Sequence, residues 1–318
     1  MHTCPPPIGD LNNWLEKYPS VNGNYGHLLL EQKCECNRAL LDALRQYFES
    51  AHLDAREYFH AEIGIDLHPD AEDDGNHACY PNCLPEIARR GLFGEVMAGL
   101  ITESYTFVGE HNWVIPVFLF RHHADAEKYL FDLARNSERE RTIFGRFGSD
   151  FIGLSLGEDG SVVRFIAGEA KWRKQLKDSI IQELLLGKWK GKGSKRVRTG
   201  GIWDNVNKDT PIPHGTRQLQ RLLQACDPVR YSAAILSLDR ALLLRNRVSI
   251  PRTDLVLIVG NDVSSREKSH PFIPWEEIPT EYTAGNDLQV VEVILNDGEE
   301  LIDTIYDSLW MEGDRHDF

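Results

Sequence analysis

The feature that most constrains this 318-residue chain is a pair of apolar runs, Asp150 to Leu156 and Val162 to Gly168, joined by Gly157-Glu158-Asp159-Gly160. Asp-Gly is favoured in tight type I′ turns, and short apolar runs bounded by turn residues read as the strands of a buried hairpin. A two-residue turn at Asp159-Gly160 places Asp150 directly opposite Glu169. Lys171 lies two residues beyond Glu169 and, by the period of two along a strand, shares its face. Three ionisable groups therefore converge at one end of a hairpin whose other residues, among them Phe151, Ile152, Leu154, Phe165 and Ile166, are apolar.

Charges in such a setting are costly unless something compensates them. A cation would satisfy the two carboxylates. Hard oxygen ligands with open positions suit Mg²⁺, with Mn²⁺ as a substitute, completed by water and a substrate phosphate. Such a centre polarises a phosphoryl oxygen and activates water, while a lysine acts as a point charge for the phosphate. The chemistry expected of Asp150, Glu169 and Lys171 is phosphodiester hydrolysis. The bland alternative is a turn aspartate and a surface Glu–Lys pair on an edge strand.

The net charge of −14 argues against a protein that coats nucleic acid by bulk electrostatics. The distribution is uneven, however. Lys171, Arg173, Lys174, Lys177, Lys188, Lys190, Lys192, Lys195, Arg196 and Arg198 face only Asp178 and Glu183 in the same segment. Of these, Lys174, Lys188, Lys190, Lys192, Lys195, Arg196 and Arg198 are the expected DNA contacts. A solvated charged loop is the alternative. Trp172 and Trp189 stand beside lysines and could stack on bases, but core or hairpin packing is the safer expectation.

Elsewhere the pattern is that of a folded α/β chain, 42% hydrophobic and 26% charged. Residues 26 to 60 carry a helical period, 66 to 82 form an acidic, turn-rich stretch, and Glu86 to Glu103 reads as a helix entered through Pro85. Val114 to Phe120 reads as a strand and Ala124 to Glu140 as a helix. Lys174 to Leu186 is expected to be helical, and the Lys- and Gly-rich stretch 187 to 201 to be a loop. Thr216 to Cys226 is a further helix, Asp254 to Gly260 and Leu288 to Leu295 are strands, and Gly298 to Trp310 closes the chain as a helix. Strands alternating with helices around a hairpin imply a mixed sheet flanked by helices.

No run approaches about 18 consecutive apolar residues, and Met1 to Pro7 lacks a signal-peptide layout, so a cytoplasmic protein without membrane contact is expected. Six cysteines in a chain of this length are not a disulfide framework. Cys34, Cys36, His77, Cys79 and Cys83 could hold zinc, but their spacings are not those of standard knuckles and incidental thiols are the favoured reading. No P-loop motif is present, so any ATP-driven step belongs to another chain.

Phe147-Gly148-Ser149-Asp150-Phe151-Ile152-Gly153-Leu154 followed by Gly168-Glu169-Ala170-Lys171-Trp172 resembles the PD-(D/E)xK nuclease core of restriction-endonuclease-like proteins, with Ser149 in place of the proline. Across residues 84 to 318 the chain resembles, more narrowly, the HamA effector family of the Hachiman anti-phage defence system. The resemblance implies a restriction-endonuclease-like domain over 84–318, preceded by a helical accessory region with an acidic loop over 1–83. It implies a DNA nuclease working with a superfamily 2-type helicase subunit, HamB-like in kind. It also implies a further metal ligand on the helix before the core, for which Glu95 is the candidate. A non-catalytic DNA- or helicase-binding scaffold and a stand-alone restriction-type endonuclease are the competing expectations.

Overall fold

A computed structural model of the protein describes residues 1–63, 80–82, 84–120, 151–191, 197–208, 212–244, 249–262 and 266–310. Its centre is a seven-stranded sheet. The strands are β1 (Leu15–Asn22), β2 (Tyr25–Gln32), β3 (Trp113–Val114), β4 (Phe151–Leu156), β5 (Val162–Leu176), β8 (Arg252–Asp262) and β9 (Asp287–Leu295). A separate two-stranded ribbon pairs β6 (Lys188–Lys190) with β7 (Val197–Thr199). In space the large sheet runs β1-β2-β9-β8-β5-β4-β3. The middle strands β2, β9, β8 and β5 are mutually parallel, and antiparallel strands close both edges. Parallel strands are covered on both faces, which is why Arg252–Gly260 is buried without interruption and lacks an alternating pattern.

The helices are α1 (Ile8–Trp14), α2 (Arg38–Ile63), α3 (Glu86–Ser104), α4 (Asp178–Leu186), α5 (Ile202–Val206), α6 (Thr216–Cys226), α7 (Ser232–Leu243) and α8 (Gly298–Ser308). On one face α2, α3 and α8 bury Phe48, Phe93, Met97, Ile101 and Tyr306 against Ile166, Ala170, Trp172, Leu257 and Val259. On the other, α4 and α5 cover Val256, Ile258 and Val290, and α6 and α7 cover Leu154, Phe165 and Ala167. The expected α/β class, a mixed sheet flanked by helices, is the fold observed. Residues 15–32, from the segment set apart as an accessory region, supply two strands of this same sheet.

Several local readings need correction. Residues 25–32 form β2, and the helix of that region starts only at Arg38. Leu28-Leu29-Leu30 fits a helical period, but the same run serves a strand buried on both faces. The strand expected over 114–120 is confined to Trp113–Val114. β5 continues through Lys171 to Leu176, so the helix expected from Lys174 begins at Asp178. The stretch from 187 to 201 is not all loop, since it contains the β6–β7 ribbon. Helix α7 was not read at all. Ala124–Glu140 lies outside the described residues, as does most of the acidic stretch.

The central hairpin reaches its expected register by another route. Gly157 N–H donates to Ser161 C=O at 2.9 Å, which closes a three-residue loop with Gly160 at φ 77°. Only a residue without Cβ adopts that conformation cheaply. An irregularity after Ser155 then moves the register by one, so that Ile152 pairs with Ala167 and Phe151 with Gly168. That is the pairing a plain two-residue turn would have produced.

Candidate active site and adjoining basic cleft

Beyond Gly168, β5 has no described partner on the β4 side, while on the other side Glu169 and Lys171 stand beside Val256 and Ile258 of β8. Glu169 is 4% exposed. Lys171 Nζ lies 2.8 Å from Glu169 Oε2, and its side chain keeps 30% of its surface. Strand periodicity thus places the acid and the lysine on one face as expected, the acid inside and the ammonium at the opening. Asp150, the third member expected, lies outside the described residues.

Helix α3, which carries Glu95, packs on Ala170 and Trp172, the residues of β5 that alternate with Glu169 and Lys171 and point to the opposite face of the strand. The helix packs closely on the strand at Gly94, where a Cβ would stand in ordinary contact with the backbone of Ala170 and Trp172, 3.8 Å from Ala170 O and 3.5 Å from Trp172 N. Glu95 follows immediately and is 8% exposed. The helix acid proposed as a ligand is thus a buried side chain, not a solvent-facing one. Among the described residues no three His, Cys, Asp or Glu side chains gather as a metal site. Glu95 and Glu169 are nonetheless both buried carboxylates, the hard oxygen donors that Mg²⁺ takes.

Lys171 opens into a cleft of about 330 Å³ between β5, α4, α5 and the ribbon, lined also by Arg173, Lys188, Lys190, Thr199 and Asn205. Four cations therefore border one concavity, and Glu183 is the acid on its wall, 3.7 Å from Lys188 Nζ. Arg173 is a member that the sequence reading passed over as a contact. It continues the alternation Glu169, Lys171, Arg173, and the signal was lost because a helix was expected to start at Lys174.

The other expected DNA contacts separate. Lys174 points to the opposite face and pairs with Glu299 of α8 at 2.7 Å, which removes it from the cleft. Arg198 lies across the ribbon from Trp189, its guanidinium carbon 5.0 Å from the ring centre, on the side away from Lys188 and Lys190. Lys192, Lys195 and Arg196 lie outside the described residues. Trp172 is a core residue, 6% exposed and edge-on to Phe93, whereas Trp189 is 52% exposed. Trp172 is packed in the core as expected, and Trp189 packs across the ribbon against Arg198 while leaving about half of its surface open.

No protein-family model matches the chain, and no curated protein matches it in sequence.

Of the five candidate zinc ligands, Cys34 is exposed and Cys36 half-buried, both as free thiols, while His77, Cys79 and Cys83 lie outside the described residues. Among the described residues, no helix is long and apolar enough to cross a membrane.

Proposed function

We propose that the protein is a metal-dependent deoxyribonuclease of the PD-(D/E)xK type, hydrolysing phosphodiester bonds at the Glu169–Lys171 end of β5. The observation that carries this reading is the ion pair itself: a buried acid joined to a lysine at 2.8 Å, opening into a cleft bordered by further cations. Buried ion pairs are weak devices for stability, because the desolvation of both charges consumes most of their attraction. One placed at the mouth of a basic cleft makes better sense as chemistry.

Asp150, Glu169 and Glu95 would hold Mg²⁺ or Mn²⁺, which supplies Lewis-acid polarisation of the phosphate and a more acidic bound water. Glu169 presents its carboxylate from a dry pocket, where its charge is little screened. Lys171 balances that charge in the resting protein and is placed to stabilise negative charge developing on the phosphoryl oxygens. Arg173, Lys188 and Lys190 hold the flanking phosphates and fix the strand across the opening. Work in the cytoplasm as the effector subunit of an anti-phage system, with a superfamily 2-type helicase partner supplying ATP-driven unwinding, completes the proposal.

The test is cleavage of plasmid and linear DNA with Mg²⁺ or Mn²⁺, with and without any helicase encoded beside it and ATP. Wild type is expected to cut, and Glu169→Ala and Lys171→Ala to lose cutting while remaining folded by circular dichroism. A folded wild type that cuts nothing under any of these conditions overturns the proposal.

A further inference from the structure

The ribbon has a second side. Strand alternation puts Lys188 and Lys190 toward the cleft beside Lys171 and sends Trp189 the other way, over a groove of about 710 Å³. That volume lies within the range of small-ligand sites. Its walls are Trp189, Trp203, Phe272 and Pro274, with Arg198 at the ribbon. Trp189 and Arg198 are a cross-strand pair in the ribbon register, so the guanidinium plane and the indole belong to the same rung. Trp203 is 4% exposed and forms a fixed wall, whereas Trp189 keeps 52% of its surface.

The charges on this side are opposite to those of the cleft. Asp178, Glu277 and Glu281 also line the groove, against the single cation Arg198. Such a lining repels a phosphate and tolerates an uncharged aromatic ring, and its carboxylates can accept hydrogen bonds from the N–H groups of a base, ring N–H of thymine included. The ribbon therefore sorts the two halves of a nucleotide, with backbone to the lysines and ring to the tryptophan. A base paired inside a duplex cannot turn its face to a side chain in this way, whereas an unpaired one can.

We propose that the groove behind the β6–β7 ribbon binds an unpaired nucleobase of the strand whose phosphates lie in the basic cleft, so that the protein engages single-stranded or locally opened DNA in preference to intact duplex. This rests on the nuclease reading and adds the form of its substrate. Acid-rimmed aromatic grooves also suit cationic protein segments, and the test separates that occupant from a base.

The experiment is fluorescence anisotropy of the full chain with labelled (dT)20, a 20-base-pair duplex and a 20-residue abasic strand, in EDTA so that nothing is cut. Wild type is expected to prefer (dT)20 to the other two. Trp189→Ala should weaken (dT)20 about tenfold, the loss of one stacked base, while the duplex and the abasic strand change less than twofold. Trp189→Phe, which keeps an aromatic face, should restore most of the affinity. Lys188→Ala and Lys190→Ala should weaken all three probes alike. If Trp189→Ala binds (dT)20 as wild type does, or weakens every probe equally, the base site is wrong and the nuclease reading stands. Wild type that binds none of the probes overturns both. A protein segment as the occupant would leave the preference for (dT)20 absent from the start.

Discussion

Two neighbouring strands on the same face of the sheet each carry an acid and a base at the same two-residue spacing, and they do different things. On β5, Glu169 and Lys171 meet at 2.8 Å with the lysine partly in solvent. On β8, Arg252 Nε and Asp254 Oδ1 meet at 2.6 Å, with the side chains only 3% and 1% exposed. The second pair is sewn shut: Tyr282 Oη donates to Asp254 Oδ2 at 2.7 Å, and Asn286 Nδ2 does so at 3.0 Å. Nothing can reach it. Spacing therefore brings charges together, but only access to solvent and to the basic cleft makes one of the two pairs a candidate for chemistry.

The sharpest way to break this comparison is Asp254→Ala. It leaves Arg252 buried without its carboxylate, and the expected loss is about 3–5 kcal/mol of unfolding free energy by urea denaturation. A loss below about 1 kcal/mol would show that the β8 pair is not structural. Next comes Lys171→Ala, expected to lower the cleavage rate about 10²–10³-fold, the cost of removing one preorganised charge donor, with a smaller loss of urea midpoint than Asp254→Ala, because the 30% of its surface that Lys171 leaves open lets water take its place beside Glu169. Equal damage to stability and rate would collapse the distinction between the pairs.

A pH series sharpens the comparison from the core side. His52 is fully buried, its ring nitrogens 3.0 Å from the Tyr80 hydroxyl and 3.1 Å from that of Tyr306, and burial lowers its pKa to about 3. The unfolded chain takes up a proton near pH 6.5 that the folded one refuses, so this contribution is complete above pH 6.5 and shrinks as the pH falls toward 3. Between pH 6.5 and 5, wild type should lose stability more steeply than His52→Gln, by up to about 1.4 kcal/mol per pH unit. Parallel curves for the two proteins would remove His52 from the acid response. The smallest effect is expected at the cleft rim: Lys188→Ala and Lys190→Ala should each reduce the salt slope of DNA binding by about 1, which a titration in increasing NaCl reads directly.

What the sequence revealed follows how local each signal is. The hairpin, its register and the shared face of Glu169 and Lys171 depend on residues within some twenty positions of one another, and strand period alone was enough. β2 was misread because its partner is β9, more than 250 residues away, and a leucine run carries no mark of that pairing. The ribbon was missed because Lys-Trp-Lys and Val-Arg-Thr are too short and too polar to announce strands; pairing with each other defines them. Arg173 fell to a boundary error of a few residues. The sorting of Lys174 and Arg198 away from the cleft required knowing that α8 covers one face and that the ribbon has two sides. Composition cannot encode either.

Gly168 bears on how this protein could be altered. A Cβ at that position would lie 1.7 Å from the carbonyl oxygen of Leu255, so the backbone of β8 occupies the place of any side chain. Gly260, farther along, is filled in the same manner by the carbonyl oxygen of Arg173 at 2.0 Å. These two contacts bracket the stretch that bears Glu169 and Lys171. For anyone building a library on this scaffold, the side chains at the mouth of the cleft are the exchangeable parts, and randomising positions 169, 171 and 173 should still return folded proteins. Including position 168 or 260 in the same library would fill it with clones that never assemble the strand on which new chemistry could be selected.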